Sequence, residues 1–272
     1  MSSQESDTVF SGSVPKLYEQ YLVPLVFKVY AAELATRLAS RSPTKILEIA
    51  AGTGVVTRAM AASLHESVAI VATDLNDGML EQARSIGTCR LLEWRQADAM
   101  DLPFPDEAFD AVICSFGVMF FPDKAKAFAE VRRVLQPGGV FMFTTWDRIE
   151  ENEFVDVVTR ALAEIFPHDP PRFHARVPHG YHDKVTIEQD VAAAGFTANP
   201  EIATIAERSE ARSARVAAMA YCQGTPLRDE IEERYASLLG DATVAVTKAL
   251  ADRFGKGRIN GQIQAHLVTV VK

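Results

Sequence analysis

The run Ile46-Leu47-Glu48-Ile49-Ala50-Ala51-Gly52-Thr53-Gly54 is the first place in these 272 residues where types and spacing can do chemistry. A strand that ends in small residues lets a ligand lie against bare backbone at the carboxyl edge of a sheet. A glycine pair alone also suits an ordinary tight turn. Asp74 closes a second apolar run twenty residues after Gly54. A carboxylate there can accept hydrogen bonds from both hydroxyls of a ribose. The glycine loop and Asp74 together point to an adenosine-type ligand.

Two cofactor classes share that arrangement. A dinucleotide site wants a third glycine to seat a pyrophosphate on a helix N-terminus, and here that position is Thr57. Glu48, just before the turn, is also badly placed beside two phosphates. It suits a cofactor that carries an ammonium and a sulfonium, which favours S-adenosylmethionine. A nicotinamide-dependent oxidoreductase is the rival enzyme reading, and a non-catalytic adenosylmethionine-binding protein the rival outside enzymes.

Elements must place these residues. Pro15 to Ser40 reads as helical, with Leu17, Tyr21, Leu25, Val29 and Ala32 on one stripe and Pro24 a kink or boundary. Strands are expected at 44–49, 68–73, 89–95, 109–114 and 140–145, alternating with helices at 55–64, 78–85 and 124–135. Pro137-Gly138-Gly139 reads as a tight turn that ends the last of these helices. Strands that alternate with helices imply parallel pairing and right-handed crossovers. The expected fold is α/β, a Rossmann-like doubly wound sheet. Beyond Trp146 the pattern changes: a helix at 151–166, a Pro- and His-rich loop at 167–182, a helix at 186–194 stopped by Gly195, a strand at 202–206, helices over 211–254 and a closing strand at 265–271.

With the glycine loop and Asp74 in place, the sequence resembles a class I methyltransferase of the ubiquinone and menaquinone biosynthesis group. Glu48-x-Ala50-x-Gly52-x-Gly54 is similar to that family's acidic glycine loop, with Ala50 for its first glycine. The run from Ala97 to Asp110 resembles its next block, Leu135-Gln136-Pro137-Gly138-Gly139 its turn before the fifth strand, and Gly195-Phe196 its entry to the sixth. The resemblance is closest over 44–146. It implies a seven-stranded, mostly parallel sheet with helical lid insertions, in a single domain over 1–272: an N-terminal helical cover at 1–43, the cofactor-binding core at 44–146, and lid helices with closing strands at 147–272. It also implies that Ala50, Gly52 and Gly54 meet the methionine part of the cofactor, and that Glu48 approaches its ammonium. Asp74 would hold the ribose, Leu75 and Met79 would flank the adenine, and Ala97, Asp98 and Ala99 would meet its edge. Ser115 and Phe116 would lie under the sulfonium, and Tyr18 or Tyr21 would line the methyl path. For the two tyrosines, core packing is the competing reading.

Methyl transfer from a sulfonium can rest largely on positioning and exclusion of water. A hydroxyl or carbon acceptor adds the need for a base, and histidine is the natural type. His168, His174, His179 and His182 cluster in one loop with Arg172 and Tyr181. His179 and His182 are the first choices, against the alternative of solvated loop residues. No metal-ligand spacing is present. The Phe116-Gly117-Val118-Met119-Phe120-Phe121 run reads either as the floor of an apolar or aromatic substrate pocket or as packing for the next helix. Arg228, Glu232 and Arg234 read as a solvated face, and the 211–254 helices as a substrate lid or a homodimer surface.

A net charge of −8 makes nucleic acid a poor partner, and a small molecule is the expected substrate. No segment has the length and apolarity of a membrane span. Met1 to Val9 is polar, without signal-peptide order, and reads as a frayed tail. Three scattered cysteines, Cys89, Cys114 and Cys222, suit a reducing cytoplasm.

Overall fold

The computed structural model describes residues 14–272, so the tail expected at Met1–Val9 lies outside the described residues. In chain order the helices are α1 (Val14–Leu17), a π-helix (Tyr18–Phe27), α2 (Lys28–Ala39), α3 (Val55–Ser63), α4 (Asp77–Ile86) and α5 (Lys124–Val134). They continue with α6 (Glu153–Ile165), α7 (Phe173–Arg176), α8 (Lys184–Ala193), α9 (Ala214–Gln223), α10 (Leu227–Arg234) and α11 (Leu239–Phe254). The chain forms two compact units. One, the sheet unit, comprises residues 28–145, 181–205 and 265–272; the other, the helical unit, comprises the described residues up to Phe27 with 146–180 and 206–264.

The seven-stranded sheet runs in the order β3 (Glu93–Gln96), β2 (Ala69–Asp74), β1 (Lys45–Glu48), β4 (Phe109–Ser115), β5 (Leu135–Trp146), β7 (Ile259–Val271), β6 (Glu201–Ala211). The pairs β1–β2, β1–β4, β2–β3 and β4–β5 are parallel. The last strand reverses: Gly138 N–H donates to the Lys272 carbonyl at 3.0 Å, and Lys272 N–H to Gly139 at 2.9 Å. The central strands of such a sheet are covered on both faces and so are apolar almost throughout, while the edge strands β3 and β6 are largely exposed. On one face Leu34 and Leu38 of α2 and Met60 of α3 meet Ile46, Ile70, Ile113, Met142 and Leu267. On the other, the Phe128 ring of α5 lies 5.3 Å from both Phe141 and Phe143. The strand order reverses between β1 and β4, and ligands bind beyond the carboxyl ends of strands at such a point. The doubly wound, mostly parallel fold expected from the sequence is the one observed.

Three details differ from the sequence expectations. The Pro137-Gly138-Gly139 run is not a separate turn but the start of β5, where the β4–β5 register slips between Phe109 and Ala111 and Gly138 takes φ 78°. The glycines let the strand bulge without breaking. In the helical unit, Pro24 does not kink an α-helix. It sits inside the π-helix, whose wider turn relieves the clash of the ring with the preceding carbonyl. The extra residue per turn rotates the buried face, so Leu22, Val23, Val26 and Phe27 are buried with Leu25, while Tyr21 is half-buried and Ala32 exposed. The face of α10 is also only partly solvated. Arg228 pairs with Glu232 at 3.1 Å, but Arg234 donates to the Asp169 carbonyl at 2.7 Å and fastens the loop after α6.

Where the loop after β1 meets the turn after β4, one contact leaves no room. A Cβ on Gly117 would stand 2.5 Å from the Ala50 methyl and 2.8 Å from Cys114 Sγ. Gly117→Ala is therefore expected to lower stability by about 1–3 kcal/mol through overpacking. Adding Ala50→Gly should restore part of that loss. Chemical unfolding of the single and double variants checks this, and an equal loss on both backgrounds would show that Ala50 is not the obstacle.

Candidate active site

The loop after β1 takes its shape from alternating left-handed residues: Ala50 at φ 52°, Gly52 at 57° and Gly54 at 83°. Ala50 adopts the conformation of a glycine at a cost of about 1–2 kcal/mol. Gly54 begins α3 with no side-chain cap, so the first N–H groups of that helix are not claimed by a side chain. A Cβ on Gly54 would strike the Trp94 ring at 2.7 Å, which explains the glycine at the third of these positions. Thr53 carries a buried hydroxyl with no hydrogen-bond partner among the described residues.

Asp74, at the end of β2, ties this loop to the sheet. Its two oxygens accept from Gly52 N–H and Asn76 N–H, each at 2.8 Å. Each oxygen has two lone-pair directions, so both can accept a further donor. Burial raises the Asp74 pKa, and the Asn76 and Gly52 amides oppose that rise. Glu48 is only 1% exposed and accepts from the Thr57 hydroxyl at 2.5 Å. Burial pushes its pKa up to about 8; the Thr57 hydroxyl works against this and the Asp74 charge adds to it. Any influence of Glu48 on a bound ammonium therefore passes through the loop or a water. Thr57, noted in the sequence only as a poor third glycine, proves to be the residue that holds Glu48.

At the far side of the crevice, Asp98 is half-buried and accepts from Met100 N–H through Oδ1 at 2.8 Å. Its Oδ2 has no hydrogen bond among the described residues. Ala97 N–H donates to the Asp74 carbonyl at 3.1 Å, and Ala99 is buried. Leu75 is 50% exposed, an unusual position for leucine, whereas Met79 is buried under Gly52. Ser115 Oγ lies 3.1 Å from Thr144 Oγ1, which also accepts from Phe116 N–H at 3.1 Å. Phe116, left-handed at φ 52°, meets Tyr30 edge-on at 5.3 Å. Thr144 and Tyr30 supply no motif signal and were missed in the sequence. Of the Met119–Phe121 run, Met119 is buried while Phe120 and Phe121 are half-buried.

The expected site residues thus fall in both units. Glu48, Ala50, Gly52, Gly54, Asp74, Leu75, Met79, Ala97, Asp98, Ala99, Ser115, Phe116 and His182 belong to the sheet unit, and Tyr18, Tyr21 and His179 to the helical unit. Tyr18 stacks on Phe27 at 5.2 Å. His179 is buried, its Nδ1 is 2.7 Å from the Asp147 carbonyl, and its ring lies 5.8 Å from that of Trp146. His182 is half-buried beside Asp183, which caps α8 through Thr186. His168 is exposed.

A methyltransferase domain family matches residues 47–143. A ubiquinone/menaquinone biosynthesis C-methyltransferase UbiE of Edwardsiella ictaluri is 30% identical over 169 residues, 57% of this chain and 67% of that protein. The chain belongs to the class I S-adenosylmethionine-dependent methyltransferases. The UbiE enzyme of Cronobacter sakazakii is 43% identical, but over 103 residues that make up 36% of this methyltransferase and only 41% of that protein. In fold it is similar to phosphoethanolamine N-methyltransferase 2 of Haemonchus contortus, solved with phosphomonomethylethanolamine and S-adenosylhomocysteine. That likeness has a TM-score of 0.61 at 17% identity and covers 100% of this chain and 61% of the other.

The sheet-edge residues of this methyltransferase fit the family's cofactor. Asp74 has acceptor capacity left for the ribose hydroxyls, and Asp98 has an oxygen for the adenine amino group. The uncapped start of α3 and the orphaned Thr53 hydroxyl suit the carboxylate of the methionine part. The Phe116 and Tyr30 rings suit a sulfonium cation. A pyrophosphate would face Asp74 and Glu48 with no lysine or arginine hydrogen-bonded to either carboxylate among the described residues.

Two outcomes follow from this geometry. Asp74→Ala should weaken both S-adenosylmethionine and S-adenosylhomocysteine by about 10- to 100-fold in calorimetric titration, the loss of charge-assisted bonds. Unchanged affinity would remove Asp74 from the ribose. The second concerns pH. The folded chain keeps the Glu48 proton up to about 8 while the unfolded chain loses it near 4.5, so stability of the ligand-free protein falls as pH rises between those values. Urea unfolding across that range should show a shallower decline in Glu48→Gln. If both proteins share one slope, Glu48 is ionised in the free protein.

Proposed function

We propose that this protein methylates a small, apolar or aromatic molecule that carries a hydroxyl, and that His179 takes the proton displaced from the acceptor. The observation that carries the proposal is the 2.7 Å contact between His179 Nδ1 and the Asp147 carbonyl. A carbonyl accepts only from N–H, so the neutral ring carries its proton on Nδ1 and its basic lone pair on Nε2. Asp147 is itself held, by Gln264 at 2.7 Å and through its own N–H to the Gln264 carbonyl at 3.1 Å. The base is thereby oriented by backbone instead of a mobile side chain. The UbiE relatives, named as C-methyltransferases of quinone biosynthesis, agree with an aromatic acceptor. So do the partly buried rings of Phe120 and Phe121, if they floor the substrate pocket.

When bound, S-adenosylmethionine supplies an electrophilic methyl group and leaves as S-adenosylhomocysteine. The protein's part is to orient, exclude water and move one proton. Asp74 and Asp98 hold the two ends of the nucleoside, and Glu48 lies beneath the loop. A hydroxylated ring loses its proton toward His179 Nε2 as its oxygen or ring carbon takes the methyl group. His182 and Tyr21 are the alternative proton acceptors in this reading.

Turnover of 1,4-naphthohydroquinone, followed by transfer of isotope-labelled methyl, should fall about 10²- to 10⁴-fold in His179→Gln, with S-adenosylmethionine affinity unchanged. The same assay on His182→Gln and Tyr21→Phe ranks the alternatives. Full activity in His179→Gln would dismiss it as the base.

A further inference from the structure

The chain between α4 and β3 folds into an open cleft of about 500 Å³ that the methyl-transfer chemistry does not use. Arg84, Cys89, Arg90, Leu91, Leu92 and Trp94 line it, all within the sheet unit. Because β3 runs parallel to β2, the residues that enter β3 lie at the amino edge of the sheet, opposite the cofactor crevice. Gly87 stops α4 at φ 77°, and the Thr88 hydroxyl donates to the Arg90 carbonyl at 2.6 Å, which sets the turn. Arg90 then reaches back, its Nη1 donating to the His65 carbonyl at 2.5 Å. Its Nη2 is buried with no hydrogen-bond partner among the described residues. Arg84 pairs only loosely with Asp77, at 3.3 Å and with both side chains about half exposed. Leu91 is fully exposed, and the half-buried Trp94 ring backs against Gly54, where a Cβ would meet it at 2.7 Å.

Two guanidiniums with donors to spare, on a chain of net charge −8, select an anion. Leu91, Leu92 and Trp94 beside them favour an apolar body over a hydrated ion. A cavity of this volume accepts a whole small molecule. We infer that the cleft is a second ligand site, for a carboxylic acid on an apolar body. The planar fork of arginine matches a carboxylate through two parallel N–H···O bonds. An incoming carboxylate draws Arg84 from its exposed partner at little cost and gives the Arg90 Nη2 the acceptor it lacks. The carbonyl end of α4 borders the cleft and repels an anion, so both guanidiniums are needed to hold one. The cofactor loop stands behind Trp94, so this wall of the cleft is formed before a ligand arrives.

Calorimetric titration of the protein saturated in S-adenosylhomocysteine keeps the probe out of the cofactor crevice. Under that condition 2-naphthoate should bind at least about tenfold more tightly than 2-naphthamide, its neutral counterpart. Arg90→Gln should weaken 2-naphthoate about tenfold or more, with 2-naphthamide and S-adenosylhomocysteine affinities unchanged. Arg84→Gln, at an exposed side chain, should act in the same direction without disturbing the His65 contact. Bound 2-naphthoate should also slow alkylation of Cys89 by N-ethylmaleimide. Cys114 and Cys222 are buried, so the reactive thiol reports on the cleft. Binding that needs an empty cofactor crevice, that leaves Cys89 unprotected or that survives both arginine substitutions would overturn the assignment, as would no binding at all.

Discussion

The bond from Gly52 N–H to the Asp74 carboxylate governs the geometry of the sheet edge. It joins the loop after β1 to the end of β2 over 2.8 Å and can form only because the loop winds through left-handed residues. Once that bond is made, other positions lose their freedom. Gly54 must stay clear of Trp94, and Gly117 must stay clear of the Ala50 methyl. The Ala50 methyl is thus accommodated by a glycine 67 positions later in the chain, on the neighbouring strand's turn.

Beneath that loop the charge arrangement is selective. Two buried carboxylates lie within mutual influence, and burial disfavours the charged form of both. A cation that reaches them relieves that strain, whereas an anion adds to it. The crevice therefore discriminates by charge before any contact with the base or ribose is made, in favour of a sulfonium cofactor over a pyrophosphate one.

Local periodicity and linear motifs made the sheet unit readable. Glu48, the glycines, Asp74 and Asp98 lie within a few residues of strand ends that their own apolar neighbours define. Contacts between distant positions were not readable in that way. Thr57 reaches Glu48 from the next helix, Thr144 serves Phe116 from another strand, and Gly117 answers Ala50 only in three dimensions. Pro24 was visible, but its consequence was not, because a proline can kink an α-helix or sit in a π-helix and only packing decides. In the histidine loop, four similar residues carried equal local signal. What separates them is burial and backbone partners: His168 exposed, His182 half-buried, His174 and His179 enclosed.

Two enclosed imidazoles side by side constrain each other. If both took a proton, like charges would share a poorly solvated space, so at most one can serve as a proton acceptor. The Asp147 carbonyl accepts from Nδ1–H of His179, whereas burial denies the charge to His174. In the proposed reaction His179 is the ring that takes the proton, while burial keeps His174 neutral. Glu230 and Arg234 fasten the loop that carries both rings, and Gly180 lets its turn close, so neither ring is free to swing into the place of the other.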